Sequence, residues 1–428
     1  MEVAILVLSF VTLLALRVPI AWSIGIATIL TMLASIPALP AVTTIAQRMA
    51  TGLDSFPLLA IPFFILAGQI MNRGGIAKRL IDFAKALVGS LPGGLAHVNI
   101  IAAMLFGAIA GSAVAAASAI GSALGKRMED EGYSKEFSAA VNITSATTGL
   151  IIPPSNVLIV YSLASGGASI AALFLAGYLP GILTGLFLML VAGIWAKRKG
   201  FPVGERTAIS EVLRTFWAAL PSLLLLIIVI GGIVAGIFTA TEASAVAVLY
   251  CLILTLIYKE LKTRELPSVL LGSVNTTAIV LLLIATSVSM SWIMTYENIP
   301  QSITELLLSI SDSKIVVLLI INLILLFVGI FMDITPAVLI FTPIFLPVVT
   351  ELGMNPVHFG IVMVLNLCVG LCTPPVGTVL FVGVGVAGTS IQKVVRPLLP
   401  LFIAMIIALF LVTYIPALTM WLPGVFGY

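Results

Sequence analysis

Apolar residues form long runs along this chain, and charged positions between them are sparse. From Phe137 to Ala196 there is no Asp, Glu, Lys or Arg. An uncharged apolar run longer than about 18 residues is typical of a helix that crosses a membrane. Two further spans are predicted at roughly 218–237 and 240–258. The pattern predicts an all-α polytopic membrane protein.

Two Pro-Pro pairs interrupt the apolar sequence in similar surroundings. One lies in "GLIIPPSN" (149–156) and the other in "GLCTPPVG" (370–377). Proline has no backbone N–H and breaks a helix, so the carbonyls four residues earlier lose their helical donors. We therefore predict two broken helices, at about 136–165 and 357–388.

The surroundings of the two Pro-Pro pairs match at an offset of 221 residues. The matched pairs are Gly132 and Gly353, Val141 and Val362, Gly149 and Gly370, Leu150 and Leu371, Pro153 and Pro374, Pro154 and Pro375, Gly167 and Gly388, Ser169 and Ser390, and Ile170 and Ile391. So many matches in one register indicate an internal duplication.

The charges indicate that the two copies have opposite orientations. Residues 71–90 carry four bases (Arg73, Lys78, Arg79 and Lys85) and one acid (Asp82). The equivalent 294–313 carry no base and three acids (Glu297, Glu305 and Asp312). Cytoplasmic loops are enriched in Lys and Arg. Inverted repeats with interrupted helices are typical of secondary transporters.

A re-entrant hairpin is predicted before each broken helix, at about 107–128 and 329–350. With the span before it, each hairpin has too few residues for three full crossings at about 20 residues per helix. Gly111, Ser112 and Ala113 suit the tip of the first hairpin, and Pro336 suits that of the second. The second hairpin also contains Asp333, the one charged residue between Lys314 and Glu351. An intramembrane carboxylate is costly, which predicts a functional role beside a cation.

Composition narrows the function classes further. The chain is 9% charged, against about 25% for soluble domains. A net charge of +3 is too small to indicate nucleic acid. Three cysteines do not form a disulfide framework. Cys368 and Cys372 fit packing better than a metal or redox pair, and His97 and His358 lack metal-type spacing.

Four stretches together resemble a known family. They are "AGSAVAAASAIG", "GLIIPPSN", "GIFMDITPAVLIFTPIFLPV" and "GLCTPPVGTVLFVG", and "FPLLAIPFFILAGQIMNRGGIAKRL" fits the same pattern. They are similar to the large membrane subunit of TRAP (tripartite ATP-independent periplasmic) transporters, the DctM type, and most similar to its sialic-acid branch (SiaM). One departure is Ala116, where family members commonly have an acid.

The resemblance implies a sodium-driven elevator transporter of the bacterial inner membrane, similar to the ion transporter superfamily, that imports a carboxylate. Its implied partners are a small membrane subunit (DctQ or SiaQ type), a periplasmic binding protein (DctP or SiaP type) and membrane lipids. The sequence contains no Walker A motif, so it does not indicate ATP as the energy source. The best guess for the substrate is sialic acid (N-acetylneuraminate), and the alternatives are C4-dicarboxylates or other organic acids. No catalytic residue and no cofactor are expected, with Na⁺ as coupling ion.

Three groups of site residues are predicted. The first sodium site comprises Ser112, Gly149, Leu150, Ile151, Pro153 and Pro154. The second comprises Gly329, Asp333, Thr335, Gly370, Leu371, Cys372, Thr373 and Pro375. The substrate site comprises Gly111, Ser155, Asn156, Asn366 and Val376.

The predicted domains alternate between a static scaffold and a mobile transport domain. The scaffold comprises 1–90 with an arm, 171–313 with a second arm, and a C-terminal helix in 396–428. The transport domain comprises 91–170 and 314–395. A channel would need a continuous pore lining, and a membrane-embedded enzyme using Ser112 or Asp333 would need a nucleophile–base spacing that the sequence lacks.

Overall fold

The fold was analysed in a computed structural model, which describes residues 2–201, 207–311 and 313–428. Asp312, one of the acids counted above, lies outside the described residues. Within these ranges the chain is helical, with eight helices long and apolar enough to cross a membrane. The helices are α1 (Glu2–Ala15), α2 (Ile20–Ser35), α3 (Ala38–Leu53), α4 (Ala60–Arg73), α5 (Ile76–Val88), α6 (Gly94–Ala110), α7 (Ala113–Asp130), α8 (Lys135–Thr148), α9 (Asn156–Ala164), α10 (Ile170–Lys199), α11 (Ile209–Val234), α12 (Ala240–Tyr258), α13 (Leu266–Tyr296), α14 (Ile299–Ile310), α15 (Lys314–Phe331), α16 (Ile334–Glu351), α17 (Pro356–Gly370), α18 (Thr378–Ala387), α19 (Ile391–Tyr414) and α20 (Ala417–Val425).

The helix boundaries reproduce the duplication seen in the sequence. Adding 221 to both ends of α7 gives the two ends of α16. The same offset takes the start of α8 to the start of α17 and the start of α10 to the start of α19. Both copies thus contain a helical hairpin, a broken helix and a long helix in the same order, as predicted.

Each hairpin is longer than the sequence predicted. The arms are α6 and α7 in the first copy and α15 and α16 in the second, so the hairpins begin at 94 and 314 rather than at 107 and 329. The first tip is formed by Gly111, which has a φ of +61°, and by Ser112, whose Oγ accepts a hydrogen bond from the Ala115 N–H at 3.2 Å. A positive φ favours glycine, and a serine N-cap pairs an amide of the first turn.

The second tip lies at Met332 and Asp333, which corrects the predicted tip at Pro336. Pro336 lies in the first turn of α16, where the missing N–H costs nothing because that turn has no helical acceptor. The broken helices are interrupted at 149–155 and 371–377, close to both Pro-Pro pairs.

The helices form two packing groups. The first comprises α1–α4 and α11–α13, and the second comprises α6–α10 and α15–α20. The amphipathic α5 packs against both α11 and α6, and α14 packs against both α13 and α16, so these two helices connect the groups. The groups meet where α4 contacts α6 and α9 and where α13 contacts α16.

This packing corrects two predicted domain boundaries. The helix α10 packs against α6, α8 and α19, and α20 packs against α10 and α17. Residues 170–199 and 396–425 therefore belong with the hairpins and broken helices, not with the predicted scaffold. The sequence did not reveal this because a span's hydropathy does not identify its neighbours.

Paired glycines let each hairpin lie directly on its broken helix. A Cβ on Gly107 would come within 2.8 Å of the Gly149 Cα, and a Cβ on Gly370 would come within 2.6 Å of the Gly329 Cα. Real Cβ atoms do not approach that closely. Small residues at a helix crossing in a membrane protein allow backbones to touch and maximise dispersion contacts.

Replacing Gly149 with Ala is expected to destabilise the protein by about 1–3 kcal/mol, because the methyl group would overlap the Gly107 backbone. The matched control is Gly125→Ala, where nothing lies within 4 Å of the new methyl group. Thermal unfolding of the purified proteins in detergent measures the difference. Equal unfolding temperatures for the two variants would contradict this packing.

The inverted orientation predicts that the two hairpins have their bases on opposite sides of the membrane. Lys126 near the end of α7 and Glu351 at the end of α16 are both exposed. In a background lacking Cys251, Cys368 and Cys372, a cysteine at position 351 should react with an impermeant maleimide from the periplasm. A cysteine at position 126 should react only after permeabilisation. Labelling of both from one side would mean a parallel repeat.

Candidate functional site

A cavity of about 240 Å³ lies where the two packing groups meet. Both hairpin tips and both broken helices reach it from one side, and α4 and α13 close it from the other. Its polar lining residues are Ser112, Asn156, Asp333 and Thr335 from the second group and Gln69, Asn72 and Thr276 from the first; Gly111, Leu150 and Leu371 also line it. The duplication thus brings two sequence-distant breaks to one space.

Asp333 supplies the cavity's charge. It is the N-cap residue of α16, but its side chain makes no capping hydrogen bond there. The carboxylate is surrounded by protein, yet it is exposed to the cavity rather than packed among side chains. No Lys or Arg is among the cavity's described lining residues. A carboxylate in such a setting attracts cations, which offset the cost of its charge.

The first break leaves backbone oxygens without helical partners. Among the described residues, no amide donates to the carbonyls of Gly149 or Leu150, and Leu150 lines the cavity beside Ser112. These oxygens and the Ser112 hydroxyl are the kind of hard ligand that a small cation prefers. The Ile151 carbonyl differs, because it faces Gly177 of α10. Pro153 and Pro154 are buried.

At the second break Gly370 and Leu371 lose their helical donors as predicted, but other backbone amides pair their carbonyls. The Gly370 carbonyl accepts a hydrogen bond from the Thr373 N–H at 2.9 Å. The Leu371 carbonyl accepts one from the Leu380 N–H at 3.3 Å. Each carbonyl retains a second lone pair, but the loop is closed by its own hydrogen bonds. In this copy Asp333 and Thr335, on the hairpin, supply the accessible side-chain oxygens.

Several predicted site residues are not in the cavity. Asn366 is fully buried in α17 and donates to the backbone oxygen of Asn322 at 2.9 Å and to its side-chain oxygen at 2.7 Å. Cys372 is also fully buried, with Sγ 3.5 Å from the Ile143 carbonyl of the first broken helix. Both residues hold helices together and do not face the space that a substrate would enter.

The remaining predicted residues lie close to the breaks but outside the cavity lining. Ser155 is fully buried, and its hydroxyl is without a partner in the described structure. The Thr373 hydroxyl donates to the Val369 carbonyl at 2.9 Å. Pro375 and Val376 are exposed. Gly329 contacts Gly370 at the helix crossing.

Sequence reasoning missed the contribution of the first packing group. Gln69 and Asn72 lie three residues apart on α4, so they share one face of a helix that is otherwise mainly apolar. Two amides on one face of a predicted span were a signal for a polar cavity. Thr276 of α13 carried no comparable signal, because a lone threonine in a membrane helix commonly bonds its own backbone.

Comparisons with known proteins agree with this architecture. The family model described as "Tripartite ATP-independent periplasmic transporter, DctM component" matches residues 7–418. The chain is 58% identical to the Salmonella typhimurium protein YgiK, over 98% of this chain and 96% of the relative. It is 39% identical to the C4-dicarboxylate TRAP transporter large permease protein DctM of Rhodobacter capsulatus, over 97% of this chain and 98% of the relative.

It is also similar, with 41% identity, to the sialic acid TRAP transporter large permease protein SiaM of Vibrio cholerae, over 90% of both chains. Among solved structures, the Alcanivorax borkumensis YdaH transporter matches with a TM-score of 0.65 and 12% identity, over 88% of each chain. That likeness concerns the fold alone. The family match over nearly the whole chain, with relatives near 40–58% identity, shows that this inner-membrane protein belongs to the DctM family of TRAP transporter large permease subunits.

Proposed function

We propose that this permease subunit imports a hydroxylated monocarboxylate, with N-acetylneuraminate as the best candidate, and that sodium ions drive the import. The observation that carries the proposal is the cavity shared by both hairpin tips, whose lining has one carboxylate and no base in the described structure. A substrate anion in this cavity would repel Asp333. Sodium ions at the two breaks would offset that repulsion, so substrate and sodium would bind together.

The polar lining favours a sugar acid over a simple dianion. Ser112, Asn156, Thr335 and two amides on α4 offer hydroxyl and amide groups to hydroxyls of a substrate. Without a lysine or arginine in the lining, a second carboxylate would add charge that only cations could balance. A C4-dicarboxylate is the second candidate, because the Rhodobacter relative carries that name.

The packing groups suggest how the site would reach both sides of the membrane. The hairpins, the broken helices, α10, α19 and α20 would move as one transport domain against α1–α4 and α11–α13. The arm helices α5 and α14 contact both groups and would link them during the movement. A small membrane subunit and a periplasmic binding protein would complete the transporter, as the family description implies.

Uptake by the reconstituted transporter is expected to require sodium and to be faster when the vesicle interior is negative. Two cations per monoanionic substrate carry net positive charge inward, and each net charge gains about 2.3 kcal/mol per 100 mV. The assay compares labelled N-acetylneuraminate and succinate, with and without sodium and a potassium-diffusion potential. Uptake that ignores both sodium and voltage would exclude the coupling. Uptake of succinate alone would assign the second candidate.

Replacing Asp333 with Asn is expected to lower sodium-dependent uptake at least about tenfold, equivalent to about 1.4 kcal/mol. Asparagine keeps the size of the side chain but removes the charge that faces the cavity. Glu351→Gln at the exposed end of the same helix is the matched control and should transport normally. Wild-type sodium dependence in Asp333→Asn would reassign the carboxylate to a structural role.

A further inference from the structure

A second polar space lies on the same seam between the two packing groups. This vestibule has a volume of about 390 Å³, and Arg48, Ser55, Ser287, Ser291, Trp292 and Thr295 are among its lining residues. The helices α9, α13 and α16 line both the vestibule and the central cavity. On α9, Val160 lines the central cavity and Leu163 lines the vestibule, so about 5 Å of helix separates the two spaces there.

The vestibule's lining combines one cationic side chain with several hydroxyl groups. The Arg48 guanidinium lies 5.5 Å from the centre of the Trp292 ring, and no carboxylate forms an ion pair with it among the described residues. Ser287, Ser291 and Thr295 recur every four residues along one face of α13. Ser287 lines the space and is 2% exposed, and its buried hydroxyl has no hydrogen-bond partner in the described structure. A guanidinium without an ion pair in the described structure and an unpartnered hydroxyl that line the same space suit a carboxylate.

Contacts between helices show which side of the membrane the vestibule faces. Gly52 lies against Val288, and the Ser289 hydroxyl donates to the Ile45 carbonyl at 3.4 Å, so α3 lies along the C-terminal third of α13. That end of α13 leads into the base-free stretch 294–313, whose charge predicts a periplasmic location. Over the described residues, Arg48 and Lys314 are the bases that this topology puts on the periplasmic side. Lys and Arg are usually enriched on the cytoplasmic side, so a base on the periplasmic side suggests that Arg48 binds a ligand.

We propose that Arg48 and the serine face of α13 form a periplasmic receiving site for the substrate's carboxylate, before the anion reaches the central cavity. This inference rests on the proposed function, because it takes the transported molecule to be an organic anion. The centres of the two lining segments of α13, near residues 278 and 291, are about 20 Å apart along the helix. A movement of the transport domain by that distance would bring the hairpin tips level with Arg48.

A cysteine at Ser291, in a background lacking the three native cysteines, tests the site's charge and location without relying on transport. Anionic sulfonatoethyl and cationic trimethylammonioethyl methanethiosulfonates are applied to intact cells. The anionic reagent should be favoured, and Arg48→Gln should reduce the ratio of the two rates roughly fivefold or more. Lys314→Gln, on the same side but outside the vestibule, should leave the ratio unchanged. Reaction only after permeabilisation, or a ratio insensitive to Arg48→Gln, would overturn the proposal.

Uptake kinetics of the full transporter test the role in import. For labelled N-acetylneuraminate, Arg48→Gln is expected to raise the half-saturating external concentration about tenfold with little change in the maximal rate. Arg48→Lys should restore part of the affinity, and Lys314→Gln should behave as wild type. If Arg48→Gln does not reach the membrane, Ser287→Ala provides the same comparison with a smaller expected increase. An unchanged half-saturating concentration would overturn the proposal, whereas absent uptake by the wild type would count against the proposed function instead.

Discussion

Hydrocarbon offers no hydrogen bonds, so a backbone group that leaves a helix inside a membrane must be paired by protein or face a polar space. In this protein two helices are interrupted, at 149–155 and 371–377, and the chain also turns at the hairpin tips, 111–112 and 332–333. The hairpins pack backbone to backbone on the broken helices through Gly107, Gly149, Gly329 and Gly370. Such close packing buries the first break, whereas Pro375 and Val376 of the second break stay exposed, and the hairpin tips leave a polar cavity open beside both breaks.

The two copies meet this constraint in different ways. At the second break the carbonyls are paired by nearby amides; for example, the Leu380 N–H donates to the Leu371 carbonyl. The tip of the second hairpin places the Asp333 carboxylate in the cavity. The first break keeps unpaired carbonyls and has a serine at the equivalent tip. The two copies of the repeat have similar folds but different polar groups. The second copy offers the Asp333 carboxylate, and the first offers unpaired backbone carbonyls. A transporter that handles cations and an anion together would use both kinds of ligand.

The seam between the packing groups contains both the central cavity and the vestibule. The helices α9, α13 and α16 line the central cavity at one level and the vestibule at another. The cavity has the negative charge of Asp333, and the vestibule has the positive charge of Arg48. In the proposed import, an incoming anion would be attracted by Arg48 and would then need cations beside Asp333.

The sequence by itself determined the all-α membrane class, the duplication, its predicted inversion and the place of both breaks, because hydropathy, proline and loop charge act locally along the chain. Asp333 was also evident, since a carboxylate in an apolar run is costly wherever the run lies. Only the tertiary structure decided which oxygens are accessible. It buried Asn366 against Asn322, assigned α10 and α19 to the second packing group, and brought Gln69 to the cavity. These outcomes depend on which helix faces meet, and contacts between residues far apart along the chain, such as the 44 positions between Asn322 and Asn366, leave no local pattern.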